Sequence, residues 1–362
     1  MVQGEWNWIA RKGVRGNAPL RTNYRIHSHT VQDYHGSQIF KILQGTGIYM
    51  DKKSIRQIAL IGFGEVGGIF GHDFVIAGYK VSAYDVLLTE EPSRAAMLAK
   101  AQRMGIRACD SLKEALLGSD LIISAVTASS ASHVGSLAVP FLRGGQIYLD
   151  INSVSPETKR EIARTLGESP AAFVEAAVMA PVAPKRIQVP MLLGGALATS
   201  AAGLLQGIGM NVKPISDQVG VASAIKMCRS IIIKGLEAIT VESMFTARHY
   251  GAERLVLESL AATYPEMGWS ATLPDYLISR VAEHGKRRAA EMREAAQAVA
   301  DAGLEPITAL ATAQRQDWLA QAIAESSLHF QKDEKFVWQN LADEIAKAAS
   351  PRKKSARKKR QA

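Results

Sequence analysis

Near the start of the patterned part of the chain, Gly62-Phe63-Gly64-Glu65-Val66-Gly67 has the residue types and order to hold a phosphate group. It follows the apolar run Ile58-Ala59-Leu60-Ile61 and leads into a helical pattern over about 65–77. Between a buried strand and a helix, Gly62 permits the tight turn, Gly64 lets a pyrophosphate approach the backbone, and Gly67 lets the helix pack closely on the strand. The helix N-terminus adds free N–H groups and the positive end of its dipole. Asp85 lies 21 residues after Gly64, at the end of the next strand pattern. A carboxylate there accepts hydrogen bonds from adenosine ribose hydroxyls and repels a 2′-phosphate. Together these residues predict a bound dinucleotide, held by Gly62, Phe63, Gly64, Glu65, Val66, Gly67 and Asp85. NAD is favoured; NADP is not excluded, because Arg94 could turn toward a 2′-phosphate.

Three further groups carry possible chemistry. Thr127 follows the fourth strand, and Asn152 with Ser153 follows the fifth. Both strand ends open on the C-terminal edge of the sheet, where cofactors lie, so Thr127 and Asn152 are expected near the nicotinamide half; the alternative is ordinary turn capping. Lys226 interrupts a largely apolar helix face, with Ala222, Ser223, Arg229 and Ser230 one turn away. It is either a desolvated amine whose pKa a neighbouring cation such as Arg229 lowers, or a lysine snorkelling from the helix flank. His284, beside Lys286, Arg287 and Arg288, is either a substrate contact or part of a solvated basic face. No His/Asp/Glu cluster has metal-ligand spacing, so no metal is expected.

The elements that would position these residues alternate. Strand patterns recur at 80–85, 120–126, 146–150 and near 172–177, 189–194 and 211–215, with a helix over about 92–104. Continuous apolar strands alternating with helices predict a doubly wound, mainly parallel α/β sheet of Rossmann type over 54–217. After Asp217 the pattern changes to helices over 219–248, 251–263, 273–302 and 305–326, with Gly303 closing the third. An all-helical domain is therefore expected over 218–347, the part to which the resemblance described below assigns substrate binding and dimerisation. Residues 1–50 lack periodicity and read as a disordered or misannotated extension, with Met50 as the natural start; a transit peptide is the rival reading.

The 362 residues carry a net charge of +9, but +4 belongs to residues 1–50 and +7 to residues 350–362, leaving −2 for everything between. The basicity thus sits at the ends, and the run after Pro351 reads as a solvated, disordered tail rather than a specific nucleic-acid site. Two cysteines, no apolar stretch of membrane-spanning length and no signal-peptide pattern lead to the expectation of a cytoplasmic protein without a membrane partner.

The sequence resembles the β-hydroxyacid dehydrogenase and 6-phosphogluconate dehydrogenase superfamily in four places. These are Gly62–Gly67; Asp150-Ile151-Asn152-Ser153-Val154-Ser155-Pro156, similar to that family's D-x-S-T-x-x-P; Glu175-Ala176-Ala177-Val178-Met179-Ala180-Pro181, where the family has D-A-P-V-S-G-G; and Gly220-Val221-Ala222-Ser223-Ala224-Ile225-Lys226, similar to its G-x-G-x-x-x-K. Lys226-Met227-Cys228-Arg229-Ser230, Lys234–Ala238 and His284–Met292 look most like a poorly characterised bacterial branch. The resemblance implies an NAD(P)-dependent dehydrogenase acting on a hydroxyacid or alcohol, with Lys226 as general acid/base and a homodimer built through the helical domain. It also implies substrate contacts at Met179, Ala180, Arg229 and Ser230. Departures from the pattern are Ser230 where the family often has Asn, Ala222 for the second glycine, and Pro181, which has no N–H to offer a substrate carboxylate. They point toward a bulkier or more apolar substrate, with Arg229 replacing the lost contact. An imine reductase, whose relatives usually lack the lysine, and a catalytically silent NAD-binding regulator are the alternatives.

Overall fold

The computed structural model describes residues 55–326 and 336–349, so the expectations for residues 1–50 and 350–362 lie outside the described residues. The order is β1 (Gln57–Ile61), α1 (Glu65–Ile76), β2 (Lys80–Tyr84), α2 (Ser93–Met104), β3 (Arg107–Ala108), α3 (Leu112–Leu116), β4 (Leu121–Ser124), α4 (Ala131–Ala138), β5 (Ile147–Asp150), α5 (Pro156–Leu166) and β6 (Ala172–Val178). A helical turn at Val182–Lys185 leads to β7 (Met191–Gly194), α6 (Ala198–Gly207) and β8 (Val212–Ser216). Then come α7 (Val221–His249), α8 (Glu253–Thr263), α9 (Leu273–Asp301), α10 (Ile307–Ser326) and α11 (Trp338–Ala349).

The eight strands make one sheet in the order β3-β2-β1-β4-β5-β6-β7-β8. All neighbours are parallel except β6 and β7. This is the expected doubly wound, mainly parallel arrangement. Helices cover both faces, so Ile58, Ala59, Leu60 and Ile61 of β1 are all buried. On one face Ala59, Ile61, Ile122 and Tyr148 pack with Val134, Ile162 and Leu166 from α4 and α5. The chain leaves β1 toward β2 and β3, then returns to β4 on the opposite side. That reversal leaves a crevice at the carboxyl ends of β1 and β4, where ligands of open α/β sheets bind.

The second part is helical, and the described residues contain one helix more than periodicity singled out. Amphipathic α11 places Trp338, Leu341 and Ile345 against Val241, Met244, Ile278 and Leu319. Helices α7 and α9 run antiparallel: Lys234 pairs with Glu291 and, one turn along, Glu237 pairs with Arg288. Helix α9 also approaches α10 closely at Gly285, where a Cβ would stand 2.8 Å from the Gln316 carbonyl oxygen. Gly303, at φ +78°, follows α9 and sends the chain into α10. Among the described residues no helix is long and apolar enough to cross a membrane.

Candidate active site

The glycine turn lies in the crevice. Gly62 has φ +94°, and a Cβ on it would lie 2.3 Å from the Ala125 carbonyl oxygen at the end of β4. A Cβ on Gly67 would lie 2.1 Å from the Gly62 carbonyl oxygen, so the helix can start only if this residue has no side chain. A Cβ on Gly64 would meet nothing within 4 Å, leaving its backbone open to an incoming group. No side chain caps α1, so its first N–H groups remain available as donors, with Glu65 exposed and Val66 half-buried in the first turn. The Phe63 side chain is buried beneath the turn, leaving only its backbone for the crevice. Asp85 follows β2; its Oδ2 accepts from Phe63 N at 2.7 Å and its Oδ1 from Leu87 N at 3.0 Å. A carboxylate has about four acceptor positions, so two donors leave it capacity for a ribose hydroxyl. An open turn, an uncapped helix N-terminus and a carboxylate at the end of β2 fit the pyrophosphate and ribose of a dinucleotide.

Thr127 lies exposed beyond β4, its hydroxyl 3.1 Å from Ser129 Oγ and 3.0 Å from Ser130 Oγ. Asn152 is buried: its Oδ1 accepts from Val126 N at 2.7 Å, and its Nδ2 donates to Ser124 Oγ at 2.9 Å. The side chain at this position therefore clasps the ends of β4 and β5 together. Its neighbour Ser153 is the one that meets the lysine.

Lys226, in the second turn of α7, is half-buried and donates a hydrogen bond to Ser153 Oγ. Burial pulls its ammonium down; Glu291 opposes this, while Lys234, Lys159 and Arg287 push further in the same direction, and the amine settles at about 8. The expectation that Arg229 supplies the depressing cation is corrected here. Arg229 is exposed, and the cations that act are Lys234 of α7 itself, Lys159 of α5 and Arg287 of α9. Ser230 is buried and accepts from Lys234 Nζ at 3.0 Å. Lys234 in turn pairs with Glu291 at 2.8 Å, and Arg287 lies 3.7 Å from the same carboxylate. Burial would raise Glu291, but Lys234, Lys226 and Arg287 hold it below its ordinary value. Glu291 is thus already engaged by Lys234, and Lys226 gives up its proton more readily than a free lysine does.

Buried groups remote in sequence hold this lysine in place. Glu175 of β6 accepts from Gly220 N at 2.6 Å, Ser223 N at 2.7 Å and Ser223 Oγ at 2.5 Å, which anchors the first turn of α7. Beneath Ser153, the wholly buried Lys159 pairs with Asp150 at 2.9 Å and donates to its carbonyl at 2.8 Å. Glu294 of α9 accepts from Ser155 N at 3.0 Å, its carboxyl raised by burial against that hydrogen bond. Met179 and Ala180 are half-buried at the end of β6, and the Met179 N–H is spent on the Pro190 carbonyl at 2.9 Å. His284, on α9, is half-buried with its imidazole lowered by burial and by Arg280 and Arg287. Sequence reading missed Ser153, Lys159, Glu175, Lys234 and Glu291 as participants. One signal for the helix pair was present: Lys234 and Glu237, and Arg288 and Glu291, are each three apart and of opposite sign, as two antiparallel cross-pairs require.

A glycine turn at the switch point of a mainly parallel sheet, followed by a helical domain, is the arrangement of a dinucleotide-binding protein. The NAD binding domain of 6-phosphogluconate dehydrogenase matches residues 57–213, and a domain of unknown function matches residues 247–319. An uncharacterised 28.5 kDa protein of Methanothermus fervidus is 30% identical over 254 residues, 69% of this chain and 94% of its own length. The 3-hydroxyisobutyrate dehydrogenase of Pseudomonas aeruginosa is 24% identical over 228 residues, covering 60% and 73% of the two chains. A solved structure of a conserved hypothetical protein from Sinorhizobium meliloti superposes with a TM-score of 0.66 at 30% identity, covering 83% of this chain and 98% of that one. The chain belongs to the β-hydroxyacid dehydrogenase and 6-phosphogluconate dehydrogenase superfamily, and its cofactor is NAD(P).

Proposed function

We propose that the chain oxidises a hydroxyl-bearing acid or alcohol, and reduces the matching carbonyl, with Lys226 as the general acid/base. The observation that carries this is one amine, brought to about 8 and tethered to Ser153 Oγ at the carboxyl edge of the sheet that holds the dinucleotide cradle. Bound NAD(P) supplies the group that accepts or returns the hydride. In the oxidative direction neutral Lys226 takes the hydroxyl proton as the carbonyl forms; in the reductive direction its ammonium gives that proton to the carbonyl oxygen. Ser153 Oγ, by accepting one N–H, fixes the direction in which the amine points. Lys234, itself held by Ser230 and Glu291, adds to the positive potential that lowers Lys226. Asp85 favours NAD over NADP, and kcat/KM measured with each cofactor should show that order.

The pH dependence follows from the sign of the shift. The base form of Lys226 is scarce below about 8 and dominant above it. For oxidation, kcat/KM should rise about tenfold per pH unit up to about 8 and then level, while for reduction, which needs the ammonium, it should be level up to about 8 and then fall about tenfold per unit. A flat profile between pH 6 and 10 in both directions would reject the lysine as the proton carrier.

We infer that the chain also assembles as a homodimer through α7. Ile225, Ile232 and Ile239 recur every seven residues along α7 and are 41%, 73% and 61% exposed. An apolar stripe of that period on a 29-residue helix suits packing against a second copy. Sedimentation equilibrium should return a dimer at micromolar concentration, and a monomer there would refute it.

A further inference from the structure

Lys100, on α2, reaches under the glycine turn. Its Nζ donates to the Phe63 carbonyl at 2.6 Å and to the Gly64 carbonyl at 2.8 Å, and it lies 4.4 Å from the centre of the buried Phe63 ring. Room for its stem comes from Gly68, a fourth glycine beyond the three of the turn, where a Cβ would be 3.0 Å from both Lys100 Cε and Nζ. In a trans peptide the carbonyl and the following N–H point in opposite directions. An ammonium that draws the carbonyls of residues 63 and 64 down to itself therefore turns the N–H groups of Gly64 and Glu65 up, toward the open side of the turn. Asp85 secures the preceding peptide from the other end by accepting the Phe63 N–H at 2.7 Å. Three consecutive peptides are thus clamped by one cation and one carboxylate, neither of which is in the turn.

We propose that Lys100 is a positioning residue for the cofactor, orienting the backbone donors that receive the pyrophosphate. This rests on reading residues 62–67 as the pyrophosphate seat. Lys100 itself lies behind the turn and touches no phosphate; its contribution is preorganisation, with the Gly64 and Glu65 donors already aimed before the ligand arrives. Burial lowers its ammonium and Asp85 counters that, which keeps the pair electrostatically coupled. A lysine acting only to fasten α2 to α1 would affect stability and all parts of the cofactor alike. A lysine that aims the turn affects those ligands that carry a pyrophosphate.

The test compares Lys100→Met with wild type by fluorescence titration of NADH, with ADP-ribose and adenosine as competitors. The expected result is an NADH Kd raised about tenfold, on the scale of one charge-assisted hydrogen bond, with ADP-ribose weakened by the same factor and adenosine unchanged within about twofold. Should K100M fail to fold, Lys100→Gln, which can donate to one carbonyl without a charge, carries the same comparison with a smaller pyrophosphate-specific loss. NADH binding within about twofold of wild type in the folded variant, or an equal loss for adenosine, overturns the proposal. Gly64→Val separates the two readings, because a Cβ there meets nothing in the protein within 4 Å and the added branch stands on the open side of the turn where the ligand would lie. If G64V binds NADH normally the seat itself has been misplaced; if G64V loses NADH while K100M keeps it, only the role of Lys100 falls.

Discussion

Lys226→Met should lower kcat by about 10²–10⁴-fold in both directions while leaving the NADH Kd within about twofold of wild type. The methionine keeps the length and the packing of the stem but has no proton to take or give. The same variant should be more stable than wild type at pH 7. Lys226 sits at about 8 in the folded protein against 10.5 for the free side chain. Between those two values the unfolded chain binds the extra proton, so wild-type stability rises with pH across that window; below about 8 the penalty of holding the charged form is fully in force. Partial exposure and the lost bond to Ser153 reduce what methionine recovers, leaving a gain of about 1–2 kcal/mol. Stability bought at the expense of turnover is the signature of a residue strained for function. Retention of activity within tenfold would remove Lys226 from the mechanism, and a melting temperature that falls would mean its charge is comfortably housed.

Glu175→Gln should destabilise the protein by about 2–4 kcal/mol, as loss of a buried charged acceptor does. The carboxylate receives three donors from the start of α7, and it is fully buried. A glutamine keeps one acceptor oxygen, and its amide then faces N–H donors with a donor of its own. Helix α7 carries Lys226 one turn beyond Ser223, so a shifted first turn moves the amine against Ser153. A lower melting temperature should therefore come with a kcat loss larger than any change in cofactor affinity. Gly194, whose Cβ would lie 2.7 Å from Glu175 Oε2, leaves the strand no room for a bulkier rearrangement. A thermal melt of E175Q within 1 °C of wild type, at unchanged kcat, would show that the anchor is dispensable.

The parts of the site legible in sequence are those built from neighbouring residues. The strand, turn and helix around Gly62–Gly67 form a contiguous unit, and each glycine answers a local steric demand that the contacts of Gly62 and Gly67 display. Asp85 falls at the end of the next strand because one helix and one strand separate it from the turn. Lys226 was found because its motif lies within seven residues at the head of a helix. Helical periodicity also suggested Arg229 as its electrostatic partner, and there it misled. Spacing puts residues 226 and 229 one turn apart but does not say which side of the helix another element will cover.

Amino-acid order alone thus determined the class of fold and placed the glycine turn, the carboxylate after β2 and a lysine on the first long helix. Tertiary structure alone decided the surroundings of that lysine. Ser153 is 73 residues from Lys226, Glu175 is 45 residues from Gly220, and Glu291 arrives from a different helix. A pKa depends on which charges lie within a few ångströms and on how much water is shut out. Both quantities belong to the packing of β5, β6, α5, α7 and α9 against one another, and neither is carried by any stretch of the chain taken by itself.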